Sequence, residues 1–275
     1  MLIIFQSYYA VELCRYSVEE LIRNELTETL YEHVWKTLTR EKIMHQTTLG
    51  LDYLHGLEGG FIHRNIHGRN VLVAEIPTSS NMHYVVKLSD FRFGKQAQKD
   101  AYNSLTKSLS GWIAPEMNNP EAQLGPWTDV FILGCFFYYV LSGGNHPFGR
   151  NIDQPNREAN IQNSKSDWTQ HTADGNYKNM SEEAQEKLKA MVDNYLELMK
   201  RMTSCHASDR PTTGQILRHF DTKEYFPIYS EAVCSKSSAA TRPGLCVIFH
   251  QEHFDNVSTQ LYIKTIKMVE YLKKK

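Results

Sequence analysis

The run VFILGCFFYYVL, from Val130 to Leu141, is the longest uninterrupted apolar segment of the chain. A helix built on it has no polar stripe to turn toward water, so every face must be covered by the rest of the molecule. It is well short of the roughly 18 to 20 residues that a membrane-crossing helix needs. The segment therefore reads as a fully buried helix in a large core, with the aromatic group Phe136, Phe137, Tyr138 and Tyr139 inside it. A chain of 275 residues has room for such a core, as one large domain or as a domain of about 220 residues with a tail.

Composition narrows the class. A hydrophobic fraction of 41% with 22% charged residues fits a globular protein rather than a disordered one. The formal net charge of -1 gives no reason to invoke nucleic acid or membrane contact, and the basic run Lys273, Lys274 and Lys275 is too short to change that. Five cysteines, Cys14, Cys135, Cys205, Cys234 and Cys246, are widely spaced. They suggest neither a disulfide scaffold nor a zinc site, and reduced thiols in a cytoplasmic setting are expected. The opening MLIIF lacks a basic flank and the apolar length of a signal peptide, and reads as a strand.

Periodicity and breakers give the coarse order of elements. YYAVELC reads as a strand, and SVEELIRNEL as a helix opened by a capping box of Ser17 and Glu20. The stretch from about Leu30 to Leu57 reads as one long helical region, with Leu38, Ile43, Leu51 and Leu54 at roughly helical spacing. NVLVAE and YVVKLSD read as two short strands joined by the turn-like IPTSSNM. The polar region from Asn145 to Asn176 is expected to be loop with short helical pieces. SEEAQEKLKAMVDNYLELMKRM is amphipathic, with Ser181 as its cap, and TTGQILRHF closes the series as a short helix.

The loop FIHRNIHGRNVLV, Phe61 to Val73, carries the chemistry. Phosphoryl transfer to a hydroxyl needs a carboxylate that orients and deprotonates the acceptor, and polar ligands that hold the metal bridging the phosphates. Asn70, just before a strand, and Asp90, closing the next, suit the ligand roles, because a hairpin would bring an amide oxygen and a carboxylate toward one Mg²⁺. Asn65 does not suit the first role: its carboxamide accepts a hydrogen bond but takes no proton at physiological pH.

These segments carry a family resemblance. HRNIHGRN resembles the catalytic loop HRDxxxxN of protein kinases, SDFRFG the metal-binding DFG segment, and GWIAPEM the end of the activation segment. WTDVFILGCFFYYVLSGGNHPFG resembles the buried kinase helix whose aspartate braces the catalytic loop, and ASDRPTTGQIL the closing arginine motif. SGWIAPEM, GCFFYYVLSGGNHPFG and the hinge-like YYAVELCRYSVEELI are most similar to the kinase/endoribonuclease stress sensors of the endoplasmic reticulum and their interferon-linked ribonuclease relative. The likeness runs from about Tyr8 to Phe220.

The resemblance implies that Asn65 occupies the catalytic base position, Asn70 a metal-ligand and cofactor-binding position, and Asp90 that of the principal metal ligand. His63 and Arg64 become structural or regulatory parts of the loop, Asp129 holds its backbone, and Glu116 pairs with Arg210. For Asp90 and Asn70 two readings stand: contact with metal or nucleotide, or a retained structural role. Ser104, Thr106, Ser108 and Ser110 lie where kinases carry regulatory phosphorylation sites, although ordinary loop composition explains them equally well.

The chain departs from the pattern at the Asn65 base position, at Arg92 in the place of the DFG glycine, and in its front part. With VELC as the hinge, no glycine-rich loop, phosphate-pairing lysine or partner glutamate helix fits into the first seven residues. At the other end, no equivalent of the relatives' nuclease domain is recognisable. GLCVIFHQEHFDN is faintly similar to a first caspase strand, without the later histidine and cysteine; Cys246 reads as a buried small residue and His250 and His253 as solvent-facing.

The expected fold is mainly α: a protein-kinase-like large (C-terminal) lobe with short β-hairpins and the small lobe largely missing. The expected division is a kinase-like domain over 1–222, a linker over 223–243 and a short C-terminal segment over 244–275. The expected function is a catalytically impaired, regulatory or interaction module, the alternative being a Ser/Thr protein kinase of the stress-sensor type. ATP and Mg²⁺ binding is expected to be weak or absent, and a protein partner or the missing small lobe to cover apolar surface.

Overall fold

The computed structural model describes residues 13–77, 82–91, 111–149, 154–170 and 180–220. The apolar run lies inside a central helix, α4, Pro126–Leu141, where every residue from Thr128 to Leu141 is buried. Pro126 stands in its first turn, where a fixed φ favours the helix and no amide proton is wasted. The four aromatic residues Phe136, Phe137, Tyr138 and Tyr139 all belong to the core.

Ahead of α4 in the chain come a strand of two residues, β1, Tyr16–Ser17, and three helices: α1, Val18–Ile22, α2, Glu28–Thr37, and α3, Arg40–His55. Two longer strands follow, β2, Val71–Pro77, and β3, Met82–Leu88. The strands form an antiparallel sheet in the order β1-β2-β3, with Tyr16 opposite Val73 and with β2 and β3 in register from Val71↔Leu88 to Pro77↔Met82. Gln46 of α3 offers its side-chain oxygen to the Val86 amide at 2.9 Å, which ties the sheet to the helix beneath it.

Behind α4 come α5, Gln154–Gln162, α6, Glu182–Met202, and α7, Thr213–Leu217. The helix α6 seats closely on α4 at Gly134: a Cβ there would lie 2.8 Å from Thr203 Cγ2 and 2.9 Å from Met202 Cβ. Among the described residues the architecture is a mainly helical kinase-type large lobe with one small three-stranded sheet. No helix among the described residues is long and apolar enough to cross a membrane.

Most local expectations hold. Ser17 and Glu20 form the capping box of α1, with the Glu20 amide donating to Ser17 Oγ at 3.2 Å. Ser181 caps α6, and Thr212 with Gln215 caps α7. The single helical region over Leu30 to Leu57 is instead two helices. The chain leaves helical geometry at Leu38 (φ −109°, ψ 85°), and the Thr39 hydroxyl then accepts from the Lys42 amide at 3.2 Å, capping a new start. The described end of the hinge-like strand, Leu13 and Cys14, is not in a strand; the paired residues lie further on, at Tyr16 and Ser17.

The turn expected at IPTSSNM is shorter than read, since Ile76 and Pro77 continue β2 and Met82 opens β3; its residues 78–81, the expected strand at MLIIF, Arg92, the four activation-segment hydroxyls and everything beyond Phe220 lie outside the described residues. The exposed apolar surface expected to face a small lobe or partner reduces, among the described residues, to Leu13, 87% exposed, and Tyr53, 43% exposed.

Candidate active site

The loop between α3 and β2 is fastened from below by Asp129, in the first turn of α4 and fully buried. Its Oδ1 accepts the Arg64 amide at 2.7 Å, while Oδ2 accepts the His63 amide at 2.8 Å and lies 2.8 Å from His55 Nε2. A buried carboxylate needs such partners, because desolvating an unpaired charge is expensive. The grip also holds Arg64 at a φ of +62°, a left-handed conformation that side chains other than glycine seldom adopt. The role of His55, the last residue of α3, escaped the sequence reading; its only signal there was a histidine eight residues ahead of His63.

His63 is completely buried and packs 4.7 Å, centroid to centroid, from Phe91, the residue after Asp90. Burial pushes its pKa down, and the carboxylates of Asp129 and Asp90 offset this only in part. The ring is therefore a neutral packing element that couples the loop to the end of β3. His67 is likewise neutral, its pKa pushed down to about 4 by burial and, next, by His63 and Arg69, against the opposing pull of Asp90.

Asn65 and Asp90 meet directly. Asn65 Nδ2 donates to Asp90 Oδ2 at 2.9 Å, with both residues buried. Asp90 sits at a φ of +60°, a second left-handed non-glycine position. Asn70 secures the same loop from its far end: its Nδ2 donates to the Asn65 carbonyl at 3.0 Å and lies 3.0 Å from His67 Nε2. The Asn70 carbonyl accepts both the amide and the hydroxyl of Ser89, each at 2.9 Å. Asn65, Asn70 and Asp90 thus form one hydrogen-bonded group.

A second group stands further from the loop. Arg210 makes two parallel bonds to Glu116, Nη1 to Oε1 at 2.7 Å and Nη2 to Oε2 at 2.9 Å, and Thr128 adds its hydroxyl to Oε1 at 3.0 Å. These residues brace the GWIAPEM segment against α4.

A carboxylate and an amide oxygen are donor types that suit a hard divalent cation. The arrangement present does not suit one, because the Asn65 amide already donates to Asp90 Oδ2. Among the described residues no group of three or more His, Cys, Asp or Glu side chains is placed to hold a metal ion. A cavity of about 390 Å³ lies along α2, lined by Thr27, Leu30, His33 and Lys36 among others, and shares no residue with the loop.

Comparison with known proteins agrees with this geometry. The family model for the protein kinase domain matches residues 2–220. The chain is 34% identical over 165 residues to the serine/threonine-protein kinase/endoribonuclease ire-1 of Caenorhabditis elegans, covering 58% of this chain and 16% of that protein. It is 33% identical over 218 residues to the human serine/threonine-protein kinase/endoribonuclease IRE2, covering 77% of this chain and 21% of that protein. With the Schizosaccharomyces pombe sensor for unfolded proteins in the ER, ire1, identity is 29% over 170 residues, covering 53% of the chain and 15% of the relative. The chain thus spans about a fifth or less of the length of these relatives. The match over residues 2–220 shows that the chain belongs to the protein kinase domain family, and the stress-sensor kinase/endoribonucleases are its relatives.

Proposed function

We propose that this chain is a catalytically impaired protein-kinase-like module that acts through binding, as a regulatory or interaction element. The observation that carries the reading is the state of the base position. Asn65 is buried and its carboxamide donates a hydrogen bond to Asp90 rather than standing ready to accept a proton. Loss of a general base typically costs about 10²- to 10⁴-fold in rate. The frame around it is nevertheless intact: Asp129 fastens the loop and Arg210 fastens Glu116. A retained frame without a base supports a role in presenting surface to a protein partner, and a cytoplasmic setting is proposed with it. Binding of ATP with Mg²⁺ is proposed to be weak or absent.

The rival is phosphoryl transfer from ATP to protein Ser or Thr, the activity for which the serine/threonine-protein kinase relatives are named. The specific observation in its favour is that Asn70 and Asp90 remain joined through one loop.

Thermal-shift and calorimetric titration of the full chain with ATP, with and without Mg²⁺, separates the two, followed by a phosphotransfer assay on the wild type and on Asn65→Asp. The expected result is feeble nucleotide stabilisation and no measurable transfer by the wild type. Turnover by the wild type in the usual kinase range of about 1–100 s⁻¹ overturns the reading.

A further inference from the structure

We propose that the Asn65 carboxamide stands in for a divalent cation on Asp90, so that this loop assembles without metal and a cation enters only by turning the amide away. The inference rests on the reading of Asp90 and Asn70 as cation-ligand positions. It deepens that reading by saying why the present residues refuse the cation.

The buried Asn65 side chain has two ends with unequal fates. Nδ2 donates to Asp90 Oδ2 at 2.9 Å, while Oδ1 is buried with no hydrogen-bond partner. Leaving an acceptor unsatisfied is costly, so the orientation is set by what the donor end gains at the carboxylate. The opposite orientation aims a carbonyl oxygen at a carboxylate oxygen, two acceptors facing each other. That geometry becomes favourable only with a cation between them. The side chain is therefore a two-position element, with the donor toward Asp90 when metal is absent and the oxygen toward the metal when it is present.

The Asn65 amide thus brings a polar hydrogen to Asp90 Oδ2, and the Asn70 amide closes the ring of bonds by donating to the Asn65 carbonyl at 3.0 Å.

The test uses the full chain with Mg²⁺ or Mn²⁺ as the only ligand. Melting temperatures are followed against cation concentration, and bound Mn²⁺ is counted from the loss of the free-ion paramagnetic resonance signal. The wild type should melt at the same temperature with or without millimolar cation. Asn65→Asp sets two carboxylates against each other; it should melt lower without cation, recover with it, and bind Mn²⁺ at least about tenfold more tightly than the wild type. Asn65→Ala removes the donor without adding charge and covers the case in which Asn65→Asp does not fold. It too should bind Mn²⁺ more tightly than the wild type.

A wild type that responds to cation as strongly as the variants overturns the proposal, as do variants that gain no cation binding. An added ATP arm keeps the two readings apart. Gain of cation binding by the variants with no ATP response in any protein removes the nucleotide site and leaves the stand-in role established.

Discussion

Arg210 holds Glu116 by two parallel hydrogen bonds of 2.7 and 2.9 Å, and its guanidinium also lies 5.0 Å from the centre of the Phe131 ring. The side chain of Arg210 is fully buried and that of Glu116 nearly so. The planar fork matches the two carboxylate oxygens in a way an ammonium cannot. Removing either partner leaves a charge without compensation, so Arg210→Met and Glu116→Ala should each destabilise the chain by about 3–5 kcal/mol. Arg210→Lys should recover only part of the loss. Urea unfolding midpoints check all three, and unchanged midpoints would place the pair outside the folding unit.

Asp129→Asn should loosen the loop. The wild-type carboxylate serves the His63 and Arg64 amides and His55 with two oxygens, whereas a carboxamide keeps one acceptor and turns a donor toward the other groups. The expected cost is about 1.5–3 kcal/mol for each charge-assisted bond lost. Hydrogen exchange should localise it, with the amides of residues 63 and 64 losing protection before those in the middle of α4. Uniform loss of protection over α4 would contradict a role confined to the loop.

The central helix was legible because twelve apolar residues in succession leave one physical solution. Caps at Ser17 and Ser181 were legible because each hydroxyl precedes a helical pattern, whereas the Thr212 cap emerged only in the structure. The break at Leu38 and Thr39 was hidden: Val34, Leu38 and Ile43 are all buried and keep near-helical spacing across it, and only the Thr39 hydroxyl marks the restart. The strand at Tyr16–Ser17 was hidden for a different reason, since two residues carry no period and owe their conformation to Leu72 and Val73. At the site, residue types and order could be read along the chain, whereas the Asn65 to Asp90 bond spans 25 positions and depends on side-chain orientation. The 74-position link between His55 and Asp129 was out of reach for the same reason.

Stability should fall in mild acid. His63, His67 and His146 are each held neutral mainly by burial, with folded-state pKa values below the usual histidine value. The unfolded chain protonates them first, near pH 6.5, so the folded state keeps its full advantage above about 6.5 and loses it as the pH drops toward the folded values. For His67 the window runs from about 6.5 down to about 4. Urea midpoints should be level above about pH 7 and decline below about 6.5. His67→Gln should lessen the decline, and an unchanged slope in that variant would remove His67 from the account.

Gly68 should tolerate no side chain. A Cβ at this position would lie 3.0 Å from both Glu19 Cβ and Tyr139 Cε1 and 3.2 Å from Glu19 Cα. The Glu19 amide donates to the Gly68 carbonyl at 3.0 Å, so α1 and the loop cannot separate without losing that bond. Tyr139 is part of the buried face of α4, and Glu19 Cα belongs to the backbone of α1, so neither yields easily. Gly68→Ala should cost about 1–3 kcal/mol, as overpacking does elsewhere. The strain should reach the site, because Asn70 lies two residues on and its amide holds the Asn65 carbonyl. Faster exchange of the amides from 68 to 71, with α6 unaffected, is the expected signature; a midpoint equal to the wild type would mean that the loop sits further from α1 than these distances imply.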